Sequence, residues 1–196
     1  MSQGILIFGA NGSGKTTLAR ELAQMLRFNH MDIEDYAFQD ATIPYSSPRP
    51  RSECITLMLD CIAAHDSFVL SSVTGAFGAE ITAMYVLAVH LTAPAELRVQ
   101  RVQKRAQELF GERMQPGGDL AEQERKFIDF VASRSLEPIE QWAKTLVCPV
   151  VCMESTASIK EMAAEIAKRY SEMNAGHPTR QGSGEGLKNA GEGGIV

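Results

Sequence analysis

Residues 9–16 read Gly9-Ala10-Asn11-Gly12-Ser13-Gly14-Lys15-Thr16 and satisfy every position of Gly-x-x-x-x-Gly-Lys-[Ser/Thr]. Each residue type answers a need of phosphate chemistry. Glycines at 9, 12 and 14 permit backbone conformations that a β-carbon would forbid. The loop's N–H groups can then curl around a phosphate at the positive end of the following helix. Lys15 has the reach and charge to meet β- and γ-phosphates, and the Thr16 hydroxyl suits a Mg²⁺ ion held by the same phosphates. Ala10, Asn11, Ser13 and Thr17 complete the expected contacts. The chemistry implied is binding of a nucleoside triphosphate.

Such a loop works only between a buried strand and a helix, and the flanking sequence predicts both. Ile5–Phe8 is a continuous apolar run, as in a strand covered on both faces. After Lys15 the apolar positions Leu18, Leu22 and Met25 or Leu26 fall at helical spacing. Further strands are expected at about 29–33, at Phe68–Leu70, at Tyr85–Leu91 and at Val147–Met153, where Pro149 argues for a sheet edge or a strand start. Helices are expected between them: Glu53–His65 burying Ile55, Leu59 and Ile62, one after Pro94 ended by Gly111, and one capped by Asp119 and running to Pro138. A final helix opens at Ser158 and turns Ile159, Met162, Ile166 and Tyr170 inward. Alternating strands and helices predict a parallel α/β sheet with helices on both faces. From Asn174 to Val196 the chain holds seven of its sixteen glycines and few apolar residues, which reads as a disordered tail.

Composition narrows the partners. The 196 residues carry a formal net charge of −5, and the sequence pI is near 5.4. Neither nucleic acid nor a membrane surface is expected, because each calls for concentrated positive charge. No apolar run approaches a membrane span. Cys54, Cys61, Cys148 and Cys152 form no Cys-x-x-Cys pair, which fits a reduced, cytoplasmic setting. The four histidines show no ligand spacing, and Trp142 with Ile139 and Leu146 reads as packing.

Among nucleotide-binding classes, a GTPase should carry an Asn/Thr-Lys-x-Asp segment, and none is present. A motor ATPase should end an apolar strand in Asp-Glu, whereas the candidate strands end in Ser71-Ser72 and Leu91-Thr92. Over residues 1–173 the layout resembles the nucleoside-monophosphate-kinase-like family, which includes adenylate, cytidylate, shikimate and gluconate kinases. The resemblance implies a three-layer α/β/α P-loop NTPase with a five-stranded parallel sheet and a helical lid at about 105–135. It further implies ATP and Mg²⁺ as cofactors and transfer of a phosphoryl group to a small molecule, in a monomer or homodimer.

The resemblance also assigns roles. Arg101 and Arg105, four apart, match the arginine pair that opens the family's lid, with Arg98 placed beside them and Val99, Val102, Ala106 and Leu109 opposite. Arg113 and Arg134 match further lid arginines over the phosphates; a solvated helix face is the competing reading. Asp32 and Glu34 stand where shikimate-kinase-like members carry Asp-x-Asp, the first acid serving the metal shell or the acceptor hydroxyl. An extended segment would set both on one face; the cap of a following helix is the alternative. Arg49 and Arg51 occupy the acceptor-binding segment. Ser71-Ser72-Val73-Thr74-Gly75 departs from the Asp-Gly-[Phe/Tyr]-Pro-Arg of nucleotide kinases and is nearer the shikimate and gluconate group. A hydroxyl metabolite is therefore favoured as acceptor over a nucleoside monophosphate. A slow or non-catalytic ATP-binding regulator is the reading from another class.

Overall fold

A computed structural model describes residues 2–40 and 47–175. Strand β1 (Gln3–Phe8) lies at the centre of a five-stranded sheet. Around it stand β2 (Asn29–Asp32), β3 (Ser67–Ser72), β4 (Tyr85–Thr92) and β5 (Val150–Glu154), in the order β2-β3-β1-β4-β5 with every pair parallel. Strand ends on one side of the sheet therefore converge, and ligands of open parallel sheets bind beyond those carboxyl ends.

The alternation along β1 builds two cores. Ile5 and Ile7 face one layer with Val69, Leu87 and Val89, covered by α1 (Lys15–Leu26) through Leu18 and Leu22 and by α8 (Ile159–Ala175) through Met162 and Ile166. Leu6 and Phe8 face the other with Phe68 and Leu70. There they meet α3 (Arg51–His65) through Met58 and Ile62, the short α4 (Ala79–Thr82) through Ile81, and α7 (Glu137–Ala143) through Ile139. Phe8 is fully buried, stacked on His90 at 4.8 Å with Trp142 edge-on at 5.3 Å. This is the expected three-layer architecture.

Several local expectations are corrected. Residues Ile33–Ala37 form a helix, α2, where an extended segment was expected, because Asp32 caps it by accepting the Glu34 N–H at 3.2 Å. Helix α3 buries Cys54, Met58 and Ile62 rather than Ile55 and Leu59, which are half-buried. In α5 (Ala95–Phe110) the inward stripe is Arg98, Val102 and Ala106, four apart, while Leu109 is 65% exposed. Arg98 is thus removed from the face of Arg101. Asp119 caps no helix; α6 (Ala121–Ser133) starts after Leu120 without a side-chain cap. Pro138 does not end α6 but sits in the first turn of α7, where a missing N–H has no helical partner. Strand β5 begins at Val150, just after Pro149, and pairs only with β4, so it is the sheet edge. Helix α8 extends to Ala175, two residues into the segment read as tail; residues 176–196 lie outside the described residues. Among the described residues no helix is long and apolar enough to cross a membrane.

Candidate nucleotide and acceptor site

The loop between β1 and α1 has the backbone its glycines imply. Gly9, Gly12 and Gly14 have φ of 150°, 78° and 96°. A β-carbon at Gly12 would collide with the backbone carbonyl of Arg98, and one at Gly9 with that of Leu91. The loop is thus fitted against α5 and β4, and only glycine permits that approach.

A cavity of about 450 Å³ opens over the loop. Gly14, Lys15, Thr16 and Thr17 line it from the loop, Asp32 and Glu34 from the end of β2 and the start of α2, and Ser71 and Ser72 from the end of β3. Arg101 and Arg105 line it from α5, and Ser155 from the turn after β5. Asn11 and Gly12 complete the rim, whereas Ala10 is buried beneath the loop and Ser13 is fully buried.

Lys15 donates from Nζ to the Ala10 carbonyl at 2.9 Å, a partner the loop itself supplies. Burial lowers its pKa to about 8, although Asp32 and Glu34 pull it up; Arg105 and Arg134 add to the fall. A partly desolvated ammonium among other cations is poised to gain from an incoming anion.

Of the cations lining the cavity, Arg101 is the most firmly held. Its Nη1 donates to the Ser13 carbonyl at 3.1 Å and the Ser155 hydroxyl at 2.8 Å, and its Nη2 to the Ser155 carbonyl at 2.8 Å. It therefore ties the loop to the end of β5. Arg105, one turn on, is exposed at the cavity wall. Arg134 reaches the loop from the end of α6, donating to Asn11 Oδ1 at 2.7 Å over the Phe130 ring at 5.1 Å. Burial, then the nearby Arg98, lowers its pKa. Arg98 itself donates to the Val131 carbonyl at 3.1 Å, fastening α6 to α5.

Three other expected arginines point elsewhere. Arg113 makes a two-pronged contact with Asp119, Nε–Oδ1 at 3.0 Å and Nη2–Oδ2 at 2.6 Å, on the exposed turn between α5 and α6 and outside the cavity. Hydrogen bonding with that partner raises the Arg113 pKa and lowers that of Asp119. Arg49 caps the end of α2: it donates to the carbonyls of Asp35 at 3.1 Å, Tyr36 at 3.3 Å, Gln39 at 3.1 Å and Phe38, and pairs with Glu53 at 3.3 Å. Arg51 donates to the Ala76 carbonyl and lies over the Phe77 ring. Neither lines the cavity. For Arg49 and Arg51 the reason is shared: open carbonyls at helix ends and turns are strong acceptors, and a five-donor fork satisfies them.

Ser155 escaped the sequence reading, and Ser71 and Ser72 were noted without a role. The available signal was positional, since all three close a parallel strand at its carboxyl end.

The AAA domain family matches residues 5–123 of this chain. A protein of Bacillus subtilis, YqaC, described as uncharacterized, is 28% identical over 171 residues, covering 82% of this chain and 93% of its own. Shikimate kinase from Acinetobacter baumannii in complex with shikimate superposes with a TM-score of 0.55 at 15% identity, covering 88% of this chain and 95% of that one. Shikimate kinase from Aquifex aeolicus gives 0.51 at 14%, covering 89% and 99%. The phosphate loop, the strand order around it and these matches together place the chain in the AAA domain family, with the P-loop fold that the shikimate kinases share.

Proposed function

We propose that the protein is an ATP-dependent phosphotransferase acting on the hydroxyl group of a small molecule. The observation that carries the proposal is the convergence of Lys15, Thr16, Arg101 and Arg105 with the carboxylates Asp32 and Glu34 on one cavity. Cations gathered on one flank suit a triphosphate, and carboxylates on the other suit a hydroxyl acceptor.

In the reaction, the acceptor O–H releases its proton toward a carboxylate as the acceptor oxygen bonds to the γ-phosphorus. The bond from that phosphorus to the β–γ bridging oxygen breaks, and ADP leaves with the electron pair. Lys15 exchanges the Ala10 carbonyl for phosphate oxygens, gaining a directly bonded anion for its desolvated charge. Arg101 and Arg105 offset charge on the equatorial oxygens. Arg134, steered by Asn11 and carried by α6, is the arginine best placed to move over the phosphates if residues 105–135 act as a lid.

A Mg²⁺ ion fits the donor set. Thr16 and Asp32 present hard oxygen ligands to the cavity. Among the described residues no group of three His, Cys, Asp or Glu side chains could hold a metal by itself. That suits an ion kept chiefly by phosphate oxygens and water, where it would neutralise phosphate charge.

The test is ADP release from Mg·ATP against a panel of nucleoside monophosphates, hydroxy acids, polyols and amino sugars. Acceptor-dependent ADP formation that disappears in Lys15→Ala is the expected result. ATP binding without acceptor-stimulated turnover would favour the regulator reading, and failure to bind ATP would end both.

A further inference from the structure

We infer that the acceptor carries no anionic group: the site is built for an uncharged or cationic hydroxyl compound, a polyol or amino alcohol. The inference rests on the phosphotransferase reading and specifies its second substrate.

The strand order divides the cavity. Beyond β4 and β5 lie Arg101, Arg105 and Ser155; beyond β2 and β3 lie Asp32, Glu34, Ser71 and Ser72. The second half is where an acceptor must sit if the triphosphate follows the loop, and its charge is negative. The next basic residues along the chain after α2 are engaged elsewhere, Arg49 on the carbonyls that end α2 and Arg51 on the Ala76 carbonyl. Arg134 is directed to Asn11 of the loop. Lys15 stands at the boundary and is claimed by the transferring phosphate.

What that half offers instead is hydrogen bonding. Ser71 and Ser72 are largely buried yet line the cavity, and the Ser71 hydroxyl reaches the Met31 carbonyl only at 3.5 Å. A hydroxyl at a cavity wall can donate to or accept from a ligand's hydroxyl. Two carboxylates beside it accept hydrogen bonds and donate none when ionised. Hydroxyl and ammonium groups satisfy both kinds of partner. A carboxylate or phosphate in the same place would face Asp32 and Glu34, whose cations, Lys15 and a Mg²⁺ ion on Asp32, are already engaged with the triphosphate, which leaves the Glu34 charge against it.

The deciding experiment uses the full chain loaded with Mg²⁺ and a non-hydrolysable ATP analogue, titrated with matched pairs. These are glucitol and gluconate, shikimate methyl ester and shikimate, a nucleoside and its monophosphate, and glucosamine and its phosphate. Acceptor-dependent ADP release with ATP is measured alongside. The uncharged or amino member of at least one pair should bind about tenfold or more tightly than its anionic twin, the scale of one charged hydrogen bond. Glu34→Lys should shift that ratio toward the anionic twin by a similar factor. Preference of the wild type for an anionic twin overturns the inference and leaves the phosphotransferase reading standing. A preference unmoved by Glu34→Lys also overturns it, as does binding of no member of any pair. If ATP too fails to bind in a Lys15-dependent way, the phosphotransferase reading falls as well.

Discussion

Replacing Lys15 with methionine should make the ligand-free protein more stable at neutral pH while abolishing nucleotide binding. Burial takes the Lys15 ammonium from a pKa of 10.5 to about 8, and each unit is worth about 1.4 kcal/mol, so holding the charge in place costs about 3 kcal/mol. The bond to the Ala10 carbonyl at 2.9 Å returns about 1 kcal/mol and is lost in the variant. The net gain is therefore about 2 kcal/mol, or roughly 4–8 °C in Tm for a domain of this size. The sign follows from proton linkage. Below pH 8 the group is charged in both folded and unfolded chains, and the full cost is present. Between pH 8 and 10.5 the unfolded chain binds the proton and the folded chain does not, so the wild type gains stability as pH rises and the cost disappears above the unfolded pKa. Urea unfolding of both proteins at pH 7 and pH 10 measures this directly. A stability advantage for Lys15→Met at pH 7 that shrinks by pH 10 is the expected result. A variant less stable than wild type at pH 7, or a difference independent of pH, refutes the account of Lys15 as a strained, phosphate-seeking charge.

Arg101→Ala removes three hydrogen bonds joining the loop to Ser155, so it should cost about 1–3 kcal/mol in denaturant unfolding and depress kcat strongly. Arg101→Lys should restore little, because a single ammonium cannot span Ser13 and Ser155 as the planar fork does. Gly12→Ala drives a β-carbon into the Arg98 carbonyl at a φ of 78°; loss of nucleotide binding in calorimetry is expected, with about 1–3 kcal/mol of destabilisation. Arg49→Ala exposes the carbonyls that end α2, and should lower stability by about 1–3 kcal/mol while raising the acceptor KM, since Glu34 rides on that helix. Phe8→Ala vacates the contacts with His90 and Trp142 and should cost about 3–5 kcal/mol by thermal unfolding.

Much of this protein is written locally. The phosphate loop is eight consecutive residues whose backbone freedom, charge and hydroxyl are all present in the sequence, so its position before α1 and its left-handed glycines could be stated without coordinates. The sheet was equally legible, because strands buried on both faces must be apolar throughout and the helices between them carry a helical period. Asp32 at the end of β2 follows from the same logic. Which of the arginines would reach the cavity was legible only in part. Arg101, Arg105, Arg113, Arg134, Arg49 and Arg51 are alike as sequence, and what separates them is which acceptor lies within reach: Ser13 and Ser155 for one, Asp119 for another, the carbonyls ending α2 for a third. Most of those acceptors are backbone atoms, which every residue has and no motif marks. Ser72 and Ser155 were hidden for a related reason. A serine closing a strand is unremarkable until the parallel sheet brings five such ends to one edge, and only that assembly decides which of them face the cavity.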